Sequence, residues 1–182
     1  MGEQDVRKRA AREQGTAQQD AREQATEVTV TIPTAADMRE FGVRLAGLLR
    51  AGDLLVLTGD LGAGKTTLTQ GLGEGLKVRG PITSPTFVIA RVHPSLAGGP
   101  GLVHVDAYRL GGFAELDDLD LDASLAESVT VVEWGEGLAE GLADERLEMI
   151  ISRAADDSTE ERVVRLSGVG DRWADLQDHI IR

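Results

Sequence analysis

Gly59-Asp60-Leu61-Gly62-Ala63-Gly64-Lys65-Thr66-Thr67 decides how the rest of this chain folds. Upstream, Asp53-Leu54-Leu55-Val56-Leu57-Thr58 is an apolar run of strand length, and downstream Leu68-Thr69-Gln70-Gly71-Leu72 continues as a helix that ends near Leu76. The stretch fits G-x-x-x-x-G-K-[ST], with Gly59, Gly64, Lys65 and Thr66 in the fixed places. A strand, a glycine-rich loop and a helix in that order make a phosphate-binding loop. Glycines let the backbone approach a polyphosphate and adopt positive φ. Successive N–H groups then form an anion nest at the helix N-terminus. Lys65 supplies a point charge for the β- and γ-phosphates, and the Thr66 hydroxyl is placed for Mg²⁺. A chance lysine in a glycine-rich turn is the bland alternative. The chain has only three lysines, Lys8, Lys65 and Lys77, and the flanking strand and helix argue against coincidence.

The composition narrows the function classes. At 182 residues and 41 % hydrophobic content the chain is long enough for one domain with a core. It has no cysteine, so it carries neither disulfides nor a thiolate metal site, in keeping with a cytoplasmic protein. It shows no apolar run of membrane-spanning length and no apolar core of a signal peptide. The net charge of −12 disfavours direct binding of nucleic acid, which needs Lys and Arg for phosphate. If RNA is involved, a partner holds it.

Working outward, residues 1–27 are rich in Gln, Ala, Glu and Arg and read as a charged, disordered tail. Residues 28–182 are expected to form the domain. Val28–Ile32 alternates and is β-branched, which predicts an edge strand. Thr34 caps a following helix with Phe41, Leu45, Leu48 and Leu49 on its apolar face, and Gly52 is expected to end it. Thr83-Ser84-Pro85-Thr86-Phe87 is an ordered, non-helical loop leading into a strand over Thr86–Val92. Both a γ-phosphate-sensing loop and an ordinary turn fit it. His93–Gly101 is a hairpin loop. Leu102–Asp106 and Val129–Glu133 are apolar strands that each end in a carboxylate, on the side of a parallel sheet where ligands bind. Asp106 and Glu133 are therefore the candidates for the metal shell, against the alternative of ordinary strand-end acids. Phe113–Ser128 reads as short amphipathic helices, and Arg146–Ser152 with Arg162–Ser167 as an antiparallel hairpin turning at Asp156-Asp157-Ser158. Asp171–Ile181 is predicted to be a closing helix carrying Trp173 and Leu176. The three histidines read as structural. The expected fold is a single α/β P-loop NTPase domain. Its central sheet is mixed and mostly parallel, flanked by helices, with a C-terminal antiparallel hairpin.

Taken together, Gly59–Thr67, Thr83-Ser84-Pro85-Thr86-Phe87, His104-x-Asp106-x-Tyr108-Arg109-Leu110 and Glu133-Trp134-x-Glu136 resemble the TsaE (YjeE) family, the bacterial ATPases of tRNA threonylcarbamoyladenosine synthesis. The similarity runs from about Val28 to about Trp173. It implies ATP and Mg²⁺ as cofactors, with slow hydrolysis by the protein alone. It implies TsaB and TsaD as partners, with tRNA reached through them. By the resemblance, Gly62, Ala63, Gly64, Lys65, Thr66 and Thr67 hold the phosphates, and Thr66 and Glu133 hold the metal. Asp106 lies near the γ-phosphate and the attacking water, Thr86 belongs to a switch-like loop, and Thr34 approaches the base and sugar. Lys65, Asp106 and Thr86 form the catalytic set. Trp134 couples nucleotide state to partner binding. The chain departs from the family pattern at His93, where many members carry tyrosine, and at Met38, where many carry threonine. A small-molecule kinase needs an arginine-bearing lid, and Phe113–Ser128 contains no arginine. A nucleotide-gated binding module with negligible hydrolysis needs the same pocket as an ATPase and stays open.

Overall fold

The computed structural model describes residues 26–83, 90–109, 126–154 and 159–180. Strand β2 (Leu54–Thr58) shows why the phosphate loop stands at the middle of the molecule. Its first four residues are all buried, as a strand covered on both faces requires. It lies between β5 (Ser128–Glu133) and β6 (Arg146–Arg153) and runs parallel to both. Strand β1 (Thr26–Ile32) buries Val28 and Ile32, half-buries Val30 and exposes Thr29 and Thr31, as befits an edge. With β3 (Ala90–His93), β4 (Gly101–Asp106) and β7 (Arg162–Val169), seven strands form one sheet in the order β1-β7-β6-β2-β5-β4-β3. Strands β7 and β3 pair antiparallel with their neighbours and run against the other five. The fold is the mixed, mostly parallel α/β domain expected, and β6–β7 is the C-terminal hairpin.

Two apolar layers cover the sheet. On one face Leu55, Leu57, Val131, Leu147 and Met149 meet helices α1 (Ala35–Ala46), α2 (Lys65–Gly75) and α3 (Leu176–Ile180). On the other, Leu54, Val56, Val103, Val105 and Val132 form a smaller core with Ala139. Helices α1 and α2 cross at glycines. A Cβ at Gly71 would collide with the Arg39 carbonyl, and one at Gly42 would press on the Leu68 carbonyl. Backbone therefore meets backbone, which fixes how closely the phosphate-loop helix lies against α1. Among the described residues no helix is long and apolar enough to cross a membrane.

Two boundaries differ from expectation. Helix α1 ends at Ala46, not at Gly52. The N–H groups of Gly47, Leu48 and Leu49 donate to carbonyls only three residues back, so the chain tightens and turns early. Gly52 (φ 92°) instead gives its N–H to Ser128 O, at the start of the β2–β5 pairing. The closing helix is broken into a tight turn at Asp171–Trp173 and the short α3. Tertiary contacts override helix propensity there. Arg172 donates its N–H to Glu145 and its guanidinium to Asp53 and to Leu48 O, and Trp173 packs over Gly168. The strand over Thr86–Val92, the helices over Phe113–Ser128 and the turn at Asp156-Asp157-Ser158 fall wholly or largely outside the described residues. Of these, Ala90–Val92 lie in β3 and Ser128 opens β5.

Gly71→Ala tests the helix crossing. Alanine gains about 1 kcal/mol of helix propensity, and overpacking against an immovable carbonyl costs about 1–3 kcal/mol. A lowered urea midpoint is expected, and an unchanged or raised one would show that the helices can separate freely.

Candidate functional site

The loop between β2 and α2 uses three glycines where other residues would be strained. Gly59, Gly62 and Gly64 have φ of 148°, 75° and 114°. Gly59 is doubly constrained, because a Cβ there would also strike the Ile151 carbonyl of β6. Ala63 donates its N–H to Asp60 O at 3.0 Å and closes the turn. Arg162, at the start of β7, supports it from behind with an Nε–H donated to Ala63 O at 3.2 Å. Gly64 stands at the N-cap of α2, where no side chain caps the helix and no acid sits in the first turn. The partial positive charge of that helix end is thus left for an anion.

Lys65 is buried beneath this loop. Its ammonium donates to Gly59 O at 2.6 Å and Asp60 O at 3.0 Å, and lies 3.8 Å from the centre of the Trp134 ring. Burial lowers its pKa, against the raising influence of Glu133, Asp106 and Asp60. Trp134 is one of two non-glycine residues at positive φ among those described. Its N–H donates to Leu57 O at 2.8 Å, and the following Gly135 packs between Val56, Val132 and Ala139, so the corner is held from both sides. Tyr108 leans on its ring, with centroids 5.1 Å apart.

The parallel register brings the two strand-end acids together, since Asp106 pairs with Glu133 across β4 and β5. Asp106 accepts the Tyr108 N–H at 3.0 Å. Glu133 is buried, and its carboxylate accepts the Thr66 hydroxyl at 3.1 Å (Oε1) and 3.3 Å (Oε2). His104, also on β4, reaches Glu133 Oε1 through Nε2 at 2.8 Å. A hydroxyl and a carboxylate are hard oxygen donors that suit Mg²⁺. Among the described residues no three His, Cys, Asp or Glu gather as a metal cage. The pair therefore fits an ion that takes its remaining ligands from phosphate and water.

Beside the loop lies a cleft of about 170 Å³ whose lining includes Thr34, Met38, Gly64, Thr67 and Arg162. Thr34 caps α1 as expected, accepting the Asp37 N–H and donating its hydroxyl to the Asp37 carboxylate at 2.6 Å. Met38 packs against Gly64. His93 is buried away from the loop and bonds Arg79 O at 3.1 Å. Gly62, Ala63, Gly64, Lys65, Thr66, Thr67, Asp106, Glu133 and Trp134 are all brought together, with Thr34 at the rim. Thr86 lies outside the described residues. Sequence reading missed Arg162, which carried no local signal, and gave His104 no role beyond its place in the family-like motif, although its i, i+2 relation to Asp106 places both on one face of β4.

The model of the family "Threonylcarbamoyl adenosine biosynthesis protein TsaE" matches residues 32–164, which include every one of these side chains. The chain belongs to the TsaE family. It is 68 % identical over 139 residues to the tRNA threonylcarbamoyladenosine biosynthesis protein TsaE of Streptomyces coelicolor, covering 75 % of this chain and 94 % of that one. It is 41 % identical over 138 residues to the Bacillus subtilis TsaE, covering 75 % and 83 %. Among solved structures it is similar to the crystal structure of Bacillus subtilis YdiB. That likeness has a TM-score of 0.68 at 32 % identity and covers 87 % of this chain and 96 % of that one. The family's role in tRNA threonylcarbamoyladenosine biosynthesis thus extends to this chain, and the TsaE motif residues fall at the ends of β2, β4 and β5.

The Lys65–Trp134 contact gives a spectroscopic test. In a Trp173→Phe background, Trp134 emission is expected to change as Lys65 loses its charge. Because burial lowers the Lys65 pKa, the midpoint should fall below the roughly 10.4 of an exposed lysine. The same transition in Lys65→Met would refute the assignment.

Proposed function

We propose that this TsaE-family chain binds ATP with Mg²⁺ in the cytoplasm and hydrolyses it. We propose further that the cycle supports tRNA threonylcarbamoyladenosine formation by TsaB and TsaD, which hold the tRNA. The observation that carries the reading is the meeting of an uncapped α2 N-terminus, a buried Lys65 and a Thr66–Glu133 pair at the strand ends. Each element suits a triphosphate and its counter-ion, and together they suit little else.

In this reading the N–H groups of Gly62, Ala63, Gly64, Lys65, Thr66 and Thr67 cradle the phosphates. Lys65 leaves Gly59 O, Asp60 O and the Trp134 face to meet the β- and γ-phosphate oxygens. Thr66 and Glu133 hold Mg²⁺, which when bound neutralises phosphate charge. Asp106, beside Glu133 in the register, orients the attacking water. Thr86 completes the catalytic set from its loop. Thr34 and the cleft around Met38 face the nucleoside end. A lysine engaged by its own loop and by Trp134 favours slow turnover in the isolated chain. It also makes Trp134 the group through which a partner senses the nucleotide. The reading of a gated module without hydrolysis rests on the same engaged lysine, and single-turnover hydrolysis with the partners present separates the two.

The decisive experiment is multi-turnover formation of threonylcarbamoyl-tRNA by matched TsaB and TsaD, with and without this chain and ATP. Stimulation is expected to require ATP and to vanish in Lys65→Ala. Full activity in that variant would overturn the site, and absent stimulation despite ATP binding would point to a small-molecule kinase. Glu133→Ala should weaken Mg²⁺ dependence more than nucleotide binding in EDTA. Equal losses would make Glu133 merely structural.

A further inference from the structure

Among the described residues three buried side-chain polar atoms lack a partner, His93 Nε2, His104 Nδ1 and Thr130 Oγ1, and of these residues His104 is the one bonded to a site carboxylate. His104 is fully buried in β4. Leu102, two residues back on the same face, is buried in the apolar core under the helices, so an apolar side chain would suit the position of His104. A buried histidine is ordinarily satisfied on both ring nitrogens. This one is satisfied on one only. Nε2 reaches Glu133 Oε1 at 2.8 Å, whereas Nδ1 is buried without a partner among the described residues. The donor proton therefore belongs on Nε2, because on Nδ1 it would face no acceptor.

On the far side of the same carboxylate stands Thr66, whose hydroxyl lies 3.1 Å from Oε1 and 3.3 Å from Oε2. Oε1 thus receives two donors. Oε2 has only the longer contact and keeps its lone pairs for another group. A glutamate at a strand end has three rotatable bonds, and Thr66 alone would not settle its last torsion. The ring of His104 is anchored in the sheet, so its Nε2–H can.

We propose that His104 is a positioning residue that orients the Glu133 carboxylate, turning Oε2 toward the metal site beside Thr66. The orphaned Nδ1 is the stability cost of that arrangement, since an apolar residue would fill the same space without it. The inference rests on the reading of Glu133 as a metal-site residue. It adds that the metal preference of the site is set partly from within the sheet, by a residue that touches neither nucleotide nor ion.

The test uses the full chain and three variants, with a fluorescent ATP analogue bound in EDTA and then titrated with Mg²⁺. Glutamine places an amide N–H₂ near Nε2, asparagine places it near Nδ1, and leucine removes the donor. His104→Gln should keep the Mg²⁺ half-saturation within about threefold. His104→Asn and His104→Leu should raise it by about 10-fold or more, the usual scale for loss of a partner behind a metal ligand. Nucleotide affinity in EDTA should hold in all three. In a Glu133→Ala background, His104→Asn should add no further loss. Equal shifts in the Gln and Asn variants would overturn the proposal, as would a Mg²⁺ effect that tracks the melting temperature. If His104→Leu fails to fold, the Gln and Asn pair still decides. Mg²⁺ dependence absent from the unaltered chain and from Glu133→Ala alike would overturn the metal reading itself, and this proposal with it. Dependence lost in Glu133→Ala but kept in His104→Asn would overturn this proposal alone.

Discussion

A buried ammonium must have company. Lys65 stands at an uncapped helix N-terminus, where the local dipole already carries positive charge. Left bare, the charge would be unfavourable, and the chain surrounds it with what neutral protein can offer. It has two carbonyl oxygens of its own loop, the face of an indole, and more distant acids on the strand ends. Each of these is weaker than a phosphate oxygen would be. The site is thus held in a state that an anion improves, and the surrounding fold serves to keep it so. Close glycine contacts hold α2 against α1, the Ile151 carbonyl leaves room only for Gly59, and Arg162 braces Ala63.

The sheet contributes register. Because β2, β5 and β4 are parallel neighbours, their ends lie on one side, and the pairing of Asp106 with Glu133 sets two acids next to each other. No loop has to find that arrangement. The loop at Trp134 is likewise drawn in by a backbone bond to Leu57, so an indole sits over the lysine without a flexible lid. Among the groups at the site, Lys65 and Thr66 come from the loop and the first turn of α2, and Asp106 and Glu133 from strand ends.

Much of this was legible in the chain. The glycine spacing, the all-apolar run of β2 and the carboxylates closing two apolar strands are local patterns, and they place the loop and its acids. The edge position of β1 showed in its alternation. What sequence did not disclose depends on contacts between distant segments. Helix α1 tightens and stops at Ala46, and Gly52 is bonded instead to Ser128 O on a strand far away in the chain. The closing helix breaks because Arg172 is tied to Asp53 and Glu145. His104 stood in a family-like motif yet read as structural, and only the distance to Glu133 gives it a role. Arg162 lies 99 positions from the carbonyl it supports, beyond the reach of any local motif.

That last separation bears on how the molecule comes into being. A ribosome delivers the glycine loop in the first half of synthesis, but β6 and β7 follow only near the end. Until they emerge, Gly59 has no Ile151 to lie against and Ala63 has no guanidinium behind it. The loop is thus made early and completed late. A nascent chain carries the whole motif before the contacts that hold its shape exist.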